Sequence, residues 1–327
     1  MKKLYIKVII ALLVFTSFTS KSVDIKLISE HKYSTYRQSA WGFNIRYDLG
    51  LISMNHSYIG AYLFDTSFNV VKHYETKNGA MGGGNGQLSP DGKLYAGFEK
   101  REMDTEIDTL SIYNIETKDE KYLTFPMHSN YKWFNDSKRI LIYKYGKFDI
   151  YDIDKGLLQE SVINLNDNKT PLLSCDYILL DNDNYLITSN RKGNLLVYNT
   201  SDWSVNRVID NHGDAELKVS DDGKLLLVES SNTVYAYSIN DYEKLWEVTL
   251  ESEQSICEFS LSHNSVFLIA VDCGGNVSYI DVKTNKTTSL LKNDGNSRYS
   301  AVHILKGDKE FYLDRNGNTI LHYKIIN

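Results

Sequence analysis

The stretch that decides the fold runs from Leu217 to Leu250 and reads LKVSDDGKLLLVESSNTVYAYSINDYEKLWEVTL. Three turn-forming segments divide it: Ser220-Asp221-Asp222-Gly223-Lys224, Ser231-Asn232, and the polar residues that follow Tyr237. Asp-Gly favours a tight turn because glycine adopts positive φ without a Cβ clash and the Asp side chain hydrogen-bonds nearby backbone. The stretch therefore predicts four short antiparallel strands joined by tight turns.

The same turn recurs between apolar runs along the chain, at Ser89-Pro90-Asp91-Gly92-Lys93, Asn135-Asp136-Ser137-Lys138, Asp181-Asn182-Asp183-Asn184, Ser262-His263-Asn264-Ser265 and Lys306-Gly307-Asp308-Lys309. A second landmark, usually an aromatic or aliphatic residue before Asp or Asn, predicts the end of each third strand. It occurs at Phe64-Asp65, Tyr113-Asn114, Tyr151-Asp152, Tyr198-Asn199, Tyr237-Ser238, Ile280-Asp281 and His322-Tyr323. Seven landmarks spaced by 38 to 49 residues predict an all-β fold, a seven-bladed β-propeller of four-stranded antiparallel blades.

The last repeat ends just after its third strand and leaves no sequence for a fourth. Residues 23–30, VDIKLISE, alternate as a strand should. We expect this N-terminal strand to complete the final blade and close the ring, which would remove the sheet edges that an open ring exposes.

These motifs carry a family resemblance. Ser-Pro-Asp-Gly-Lys at 89–93 and Ser-Asp-Asp-Gly-Lys at 220–224, with Tyr-Asp and Tyr-Asn where the family has Trp-Asp, resemble WD-repeat propellers and the related bacterial YVTN-type propellers. The Gly-His dipeptide that typically opens a WD repeat has an altered counterpart in Asn211-His212-Gly213. The resemblance covers almost all of the chain after residue 22 and implies a rigid ring whose loops bind other molecules.

The N-terminus has the order of a secretory signal peptide: basic Lys2, Lys3 and Lys7, an apolar run from Val8 to Phe15, and a small polar stretch ending at Ser22. We expect residues 1–22 to be removed and residues 23–327 to form a single propeller domain, exported to the periplasm or the extracellular space. The apolar run is too short to span a bilayer, and no later run reaches 18 apolar residues, so we expect no membrane span in the mature chain.

Cys175, Cys257 and Cys273 are too few and too scattered for a disulfide framework. A Cys257–Cys273 bridge within one repeat is one interpretation, but the pattern favours buried, unpaired thiols. The net charge of −6, with dispersed Lys and Arg, lacks the basic footprint of a nucleic-acid binder.

Two long connections in the second repeat, 77–87 and 99–108, are the predicted binding loops because both exceed a hairpin's length. The second carries the candidate partner-binding residues Lys100, Arg101, Glu102 and Asp104. Tyr131 and Tyr299 are further candidates, as aromatic contact anchors on the open face.

Three other motifs resemble phosphate-binding or metal-binding sequences, but the sequence around each of them disfavours that function. The glycines at 82–86 precede a strand rather than a helix, so they do not predict a phosphate loop. The segment 314–318 resembles the start of a calcium loop but lacks the downstream Glu and aligns with hairpin turns, and Asp181 and Asp183 belong to the recurring first turn. We expect no cofactor, no metal and no catalytic residue.

The sequence is compatible with three classes of function. The leading hypothesis is a monomeric, non-catalytic platform that binds a protein partner. The alternatives are a binder of small ligands or glycans, and a propeller enzyme of lactonase or quinoprotein type with its site at the channel mouth.

Overall fold

The computed structural model describes residues 23–34, 40–56, 60–75, 86–99, 107–126, 129–166, 176–189, 193–212 and 215–326. These residues form 28 strands in seven sheets of four strands each. The predicted all-β, seven-bladed propeller is confirmed. No helix within these ranges has the length and apolar character needed to cross a bilayer.

The N-terminal strand β1 spans Asp24–Lys32, and blades 1 to 4 follow it in chain order. Blade 1 contains β2 (Ala40–Arg46), β3 (Leu51–His56), β4 (Gly60–Asp65) and β5 (Val70–Tyr74). Blade 2 contains β6 (Gln87–Leu88), β7 (Leu94–Glu99), β8 (Ile107–Asn114) and β9 (Glu120–Pro126). Blade 3 contains β10 (Asn130–Trp133), β11 (Arg139–Lys144), β12 (Lys147–Asp152) and β13 (Gly156–Asn164). Blade 4 contains β14 (Tyr177–Leu180), β15 (Tyr185–Ser189), β16 (Asn194–Asn199) and β17 (Val205–Asn211).

Blades 5 to 7 complete the ring. Blade 5 contains β18 (Glu216–Val219), β19 (Leu225–Ser230), β20 (Thr233–Ser238) and β21 (Lys244–Thr249). Blade 6 contains β22 (Ile256–Leu261), β23 (Phe267–Asp272), β24 (Val277–Asp281) and β25 (Lys286–Leu291). Blade 7 contains β26 (Tyr299–Ile304), β27 (Glu310–Arg315) and β28 (Thr319–Ile326), and β1 is its fourth strand.

The predicted ring closure is confirmed. Strand β1 pairs antiparallel with β28, from Asp24 opposite Ile326 to Lys32 opposite Thr319. The last landmark needs a one-residue correction: Phe311 pairs with Tyr323, so Tyr323 rather than His322 occupies the position of Tyr237, which pairs with Leu226.

The third-strand landmarks have a common physical basis. The aromatic residue packs in the core, and the Asp or Asn after it accepts hydrogen bonds from the backbone of the turn to the fourth strand. Asp65 accepts from the Ser67 N–H at 2.8 Å and Asp281 from the Thr284 N–H at 2.7 Å. Asn114, Asp152 and Asn199 do the same in their blades. The landmark recurs because the side chain holds the turn.

The hydrophobic core is divided among the blade interfaces. Seven clusters of buried apolar residues lie among the described residues, one between each pair of neighbouring blades, including one between blades 7 and 1. In that cluster Phe43, Met54 and Phe64 pack with Ala301 and Ile320. Each blade is therefore stabilised from both sides, and the ring has no exposed terminal blade.

Antiparallel pairing gives the propeller two different faces. The turn face holds the turns from first to second and from third to fourth strands, while the loop face holds the remaining connections. Hydrogen bonds join the first turns of neighbouring blades at six described junctions: Arg46 to Pro90 O, the Asp91 N–H to Ser137, the Asn135 N–H to Asp183, Asp221 to His263, the His263 N–H to Asp308, and the Lys306 N–H to Tyr47. Six of the seven junctions on the turn face are thus bonded within the described residues.

Candidate functional site

The first strand of each blade lies innermost, and polar side chains on these strands or next to them reach toward the axis of the ring. Four of them hydrogen-bond to the backbone of the next blade's first strand: Gln87 to Tyr131 O at 3.0 Å, Asp176 from the Leu217 N–H at 2.6 Å, Lys218 to Phe259 O at 3.2 Å, and Ser260 from the Ile304 N–H at 2.9 Å. These bonds satisfy backbone groups at the unpaired inner edges, so much of the polar lining has a structural role.

One group of charges contains more carboxyl groups than the inner-edge bond of Lys218 requires, and we call it the channel-mouth cluster: Glu216, Lys218, Glu229 and Glu258. Glu216 begins β18, Glu229 lies near the end of β19, and Glu258 lies near the start of β22, so all lie toward the loop face. Lys218 forms an ion pair with Glu258 and places its Nζ 3.3 Å from Glu216 Oε1. Its Nζ also lies 4.5 Å from the centroid of the Phe259 ring.

Burial and charge set the protonation of this cluster. Burial acts to lower the pKa of Lys218, but the charges of Glu258 and Glu216 outweigh it and raise that pKa, so the side chain stays an ammonium. Burial raises the pKa of Glu229 to about 8, with Glu216 and Glu258 adding repulsion and Lys218 opposing it. Burial likewise raises the pKa of Glu258 against the attraction of Lys218. At pH 7 Glu229 is therefore mostly a neutral carboxylic acid beside charged neighbours.

Residues from other blades complete the surroundings. An ideal Cβ on Gly42 of β2 would lie 3.6 Å from Glu258 Oε2, so this glycine faces the carboxylate. Burial lowers the pKa of His303 in β26 to about 4, with the charges of His263 and Lys218 adding to the effect, so this imidazole is neutral at pH 7. Burial raises the pKa of Asp176, against the attraction of Lys132.

The disulfide lies on the same strand as Glu258. Cys257 and Cys273 are bonded, with Cα atoms 5.0 Å apart, and the expectation of unpaired buried thiols is wrong for this pair. The pairing register shifts between Ile256 and Glu258, which leaves Cys257 exposed at a bulge beside the end of β23. A bulge is not visible in residue spacing, which is why the sequence favoured buried thiols.

The candidate residues from the sequence have different outcomes. Lys100, Arg101, Glu102 and Asp104 lie outside the described residues, as do residues 82–85 of the glycine-rich segment.

Tyr131 was expected to be an exposed anchor, and that expectation is wrong. It is fully buried, and its hydroxyl donates to Ala96 O in the neighbouring blade at 2.6 Å. Tyr299 is 8% exposed and packs in the cluster between blades 6 and 7, so it does not present a free ring either. Both lie on first strands, where an aromatic ring stabilises the contact between blades.

The altered Gly-His counterpart has a structural role. The ring nitrogen Nε2 of His212 lies 2.6 Å from the Tyr237 hydroxyl, and the Ser230 hydroxyl donates to His212 O. A histidine in the connection between blades thus contacts the third-strand landmark of blade 5. Within the described residues, no group of three or more His, Cys, Asp or Glu side chains is arranged to hold a metal ion.

Comparison with known proteins identifies the fold. The structure is similar to the β-propeller domain of Cps50 (Swd1) from Myceliophteria thermophila, with a TM-score of 0.67 and 10% sequence identity over 93% of this chain and 100% of that chain. No protein-family model and no curated protein matches the chain. As many as 1662 chains of solved structures match, so the likeness specifies the architecture without choosing a function. The resemblance to WD-repeat propellers is confirmed at the level of the fold.

Proposed function

We propose that the mature chain is an exported, non-catalytic platform that binds a protein partner on its loop face, around the channel mouth. A closed ring of seven blades supplies a rigid surface, and rigid scaffolds with variable loops suit protein binding.

The observation that carries this proposal is the channel-mouth cluster on the loop face. On the turn face, six of the seven junctions between first turns are bonded within the described residues, which leaves this face largely tied together. The loop face carries the channel-mouth cluster, where Glu216 has a side chain 42% exposed and Glu229 is not needed for any inner-edge bond. Glu216 is exposed although it contacts Lys218, and the Glu229 carboxyl has no hydrogen bond within the described residues, so both carboxyl groups are available to a partner.

The charge of Lys218 suits ion pairing. Its neighbours Glu258 and Glu216 hold it as an ammonium, so it is not a free-amine nucleophile.

Export is supported by the disulfide together with the N-terminal leader. Disulfides persist in oxidising compartments and are rare in the cytosol. The Cys257–Cys273 bond joins a first strand to the connection after β23, and an oxidising compartment would preserve it.

Photo-crosslinking in cells tests the proposal with a matched pair of sites in one region of the ring. Benzoylphenylalanine replaces exposed Glu253, in the connection to β22 on the loop face, or Val266, which is 48% exposed on the turn face of blade 6. We expect a crosslinked protein partner from position 253 and none from position 266. Crosslinking from 266 alone, or from neither site, would contradict a partner on the loop face.

Fractionation of the same cells tests export. We expect the protein outside the cytoplasm with the 257–273 disulfide formed, which alkylation and mass spectrometry detect. A cytoplasmic protein with reduced thiols would overturn this part of the proposal.

A further inference from the structure

Glu229 is a buried carboxyl group without a hydrogen-bond partner among the described residues. It is 8% exposed, and neither an ion pair nor a hydrogen bond reaches its carboxyl oxygens from that part of the chain. The buried polar atoms that lack both a partner and solvent contact do not include these oxygens, so the carboxyl retains contact with solvent. Water can therefore hydrogen-bond this carboxyl in the free protein, and a group that displaces the water has to supply those hydrogen bonds.

Asp314 provides an internal comparison. It is the fifth residue of β27, as Glu229 is the fifth residue of β19. Asp314 accepts hydrogen bonds from the Tyr33 hydroxyl at 2.9 Å, the Ser300 hydroxyl at 2.7 Å and the Gly317 N–H at 2.8 Å. Blade 7 thus uses a carboxylate at this position to tie its own loops together, and blade 5 does not.

The charges that face Glu229 come from two blades. Glu216 lies directly opposite it on β18, Lys218 follows two residues later on the same face, and Glu258 approaches from β22. Lys218 is already engaged by Glu258, Glu216 and Phe259 O. Three carboxyl groups therefore surround one ammonium, and the site favours one further positive charge.

The shape of the acidic pair favours a planar cation. Residues directly opposite on antiparallel strands have Cβ atoms about 5 Å apart. Two carboxylates at that spacing can accept the forked N–H donors of a guanidinium group, which is also more weakly hydrated than an ammonium. Solvent reaches the pair through Glu216, whose side chain is 42% exposed.

We propose that Glu216 and Glu229 bind the guanidinium group of an arginine side chain that a partner protein inserts into the channel mouth. The inference rests on the proposed function, because it assumes that the occupant belongs to a protein. The two carboxyl groups would then bind a partner, whereas the inner-edge hydrogen bonds of the ring use neither of them.

The proposal predicts a proton linkage. Glu229 has a pKa of about 8 in the free protein, raised by burial and then by Glu216 and Glu258 against Lys218. A bound guanidinium favours the carboxylate, so binding at pH 7 releases about one proton. Affinity should rise as the pH approaches 8 and level off above it.

Isothermal titration of the whole mature chain tests this linkage. The probes are the peptide acetyl-Gly-Ser-Arg-Ser-Gly-amide and its citrulline analogue, which has the same shape without the charge. Titrations at pH 7 in phosphate and in Tris separate proton release from binding. We expect the arginine peptide to bind at least about tenfold more tightly than the citrulline peptide, with about one proton released.

Two variants locate the effect. Glu229→Gln should abolish proton release and weaken arginine-peptide binding by about tenfold or more, while Glu216→Gln should weaken binding and leave a reduced proton signal. Thermal melts establish that both variants are folded. Equal binding of the two peptides, or an unchanged proton count in Glu229→Gln, would overturn the inference. Free arginine binding as tightly as the peptide would also overturn it, because the occupant would then be a small ligand.

Photo-crosslinking from position 253 separates this inference from the proposed function. If Glu229→Gln abolishes peptide binding but position 253 of this variant still captures the partner, both proposals stand. The partner then contacts the loop face near position 253 independently of the arginine site. If the peptides fail and the partner is still captured, only the arginine inference is wrong.

Discussion

The protonation of Glu229 couples the channel mouth to the stability of the fold. Burial, with Glu216 and Glu258, raises its pKa from 4.5 to about 8. Folding therefore takes up a proton at this carboxyl between those two pH values. Its stabilising contribution is full below pH 4.5 and is lost as the pH rises through 8.

Glu229→Gln should remove this dependence because the amide does not titrate. We compare the free energy of unfolding of the variant with that of the native protein at pH 5 and at pH 9. The difference, variant minus native, should be more positive at pH 9 by on the order of 3 kcal/mol. Urea unfolding at the two pH values measures this difference. Asp314, whose pKa burial raises to about 6, titrates in both proteins and cancels in the comparison. Parallel pH profiles would contradict a titration at Glu229.

Sequence reasoning missed this carboxyl for a definable reason. Glu229 ends the apolar run LLLVE inside the very stretch that decided the fold, and a charge at the end of a strand usually indicates solvent. Glu229 is the fifth residue of its second strand, and the fifth residues of the second strands in blades 2, 3 and 6 are Phe98, Tyr143 and Val271. Only the strand register shows that Glu229 occupies a position where these blades have a buried apolar side chain. For Tyr131 the error was the opposite: the sequence predicted an exposed ring, but a position on a first strand buries it between blades.

At the level of elements, the recurring turns were the most predictable feature. In Ser89–Lys93 and Ser220–Lys224 the serine hydroxyl donates to the Asp at 2.7 Å, and the same serine oxygen accepts from the first residue of the next strand. Both turns place glycine at a φ of +71°. Such local chemistry is complete within six residues, so sequence alone reveals it. The disulfide was not predictable in this way because it depends on the bulge at Cys257.

Two glycines allow the cost of a strained backbone conformation to be compared with the cost of a steric clash. A Cβ on Gly223 would meet no atom within 4 Å, whereas a Cβ on Gly60, at the start of β4, would lie 1.5 Å from Tyr74 O. Both have positive φ. We expect Gly223→Ala to lower the free energy of unfolding by about 1 kcal/mol and Gly60→Ala by more than about 3 kcal/mol.

Urea unfolding of the two variants under one condition provides the comparison. Equal losses would indicate that β4 and β5 can separate at no cost, contrary to the packing of blade 1.

The disulfide should stabilise blade 6 against unfolding. It closes a loop of 16 residues, for which the chain-entropy argument gives about 3 kcal/mol. Replacing both Cys257 and Cys273 by Ser should lower the free energy of unfolding by about that amount. Adding reductant to the native protein should reproduce most of the loss and should leave the double variant unchanged. A reductant effect on the double variant would assign the loss to something other than this bond.

At the scale of the whole molecule, seven interface clusters depend on ring closure. The cluster between blades 6 and 7 includes Tyr323 and Ile325 of β28, and Val23 and Ile25, at and just before the start of β1, pack against it. Sequence predicted the closure because only one alternating segment remained to complete the last blade. It could not predict which charges the closed ring brings together, since Gly42 and Glu258 lie 216 residues apart in the chain yet meet near the axis.

Removing residues 23–32 should open the ring. Without β1, the backbone groups of β28 lose their pairing from Asp24 to Lys32, and the ion pair of Glu30 with Arg315 is lost. An unpaired strand edge is a template for association with other chains. We therefore expect the truncated protein to melt at a lower temperature and to form oligomers on size-exclusion chromatography. A synthetic peptide of residues 23–32 should restore the monomer and raise the melting temperature, and a scrambled peptide should not. Identical melting of the truncated and whole proteins would mean that closure depends on the interface clusters alone, with β1 as a dispensable cover.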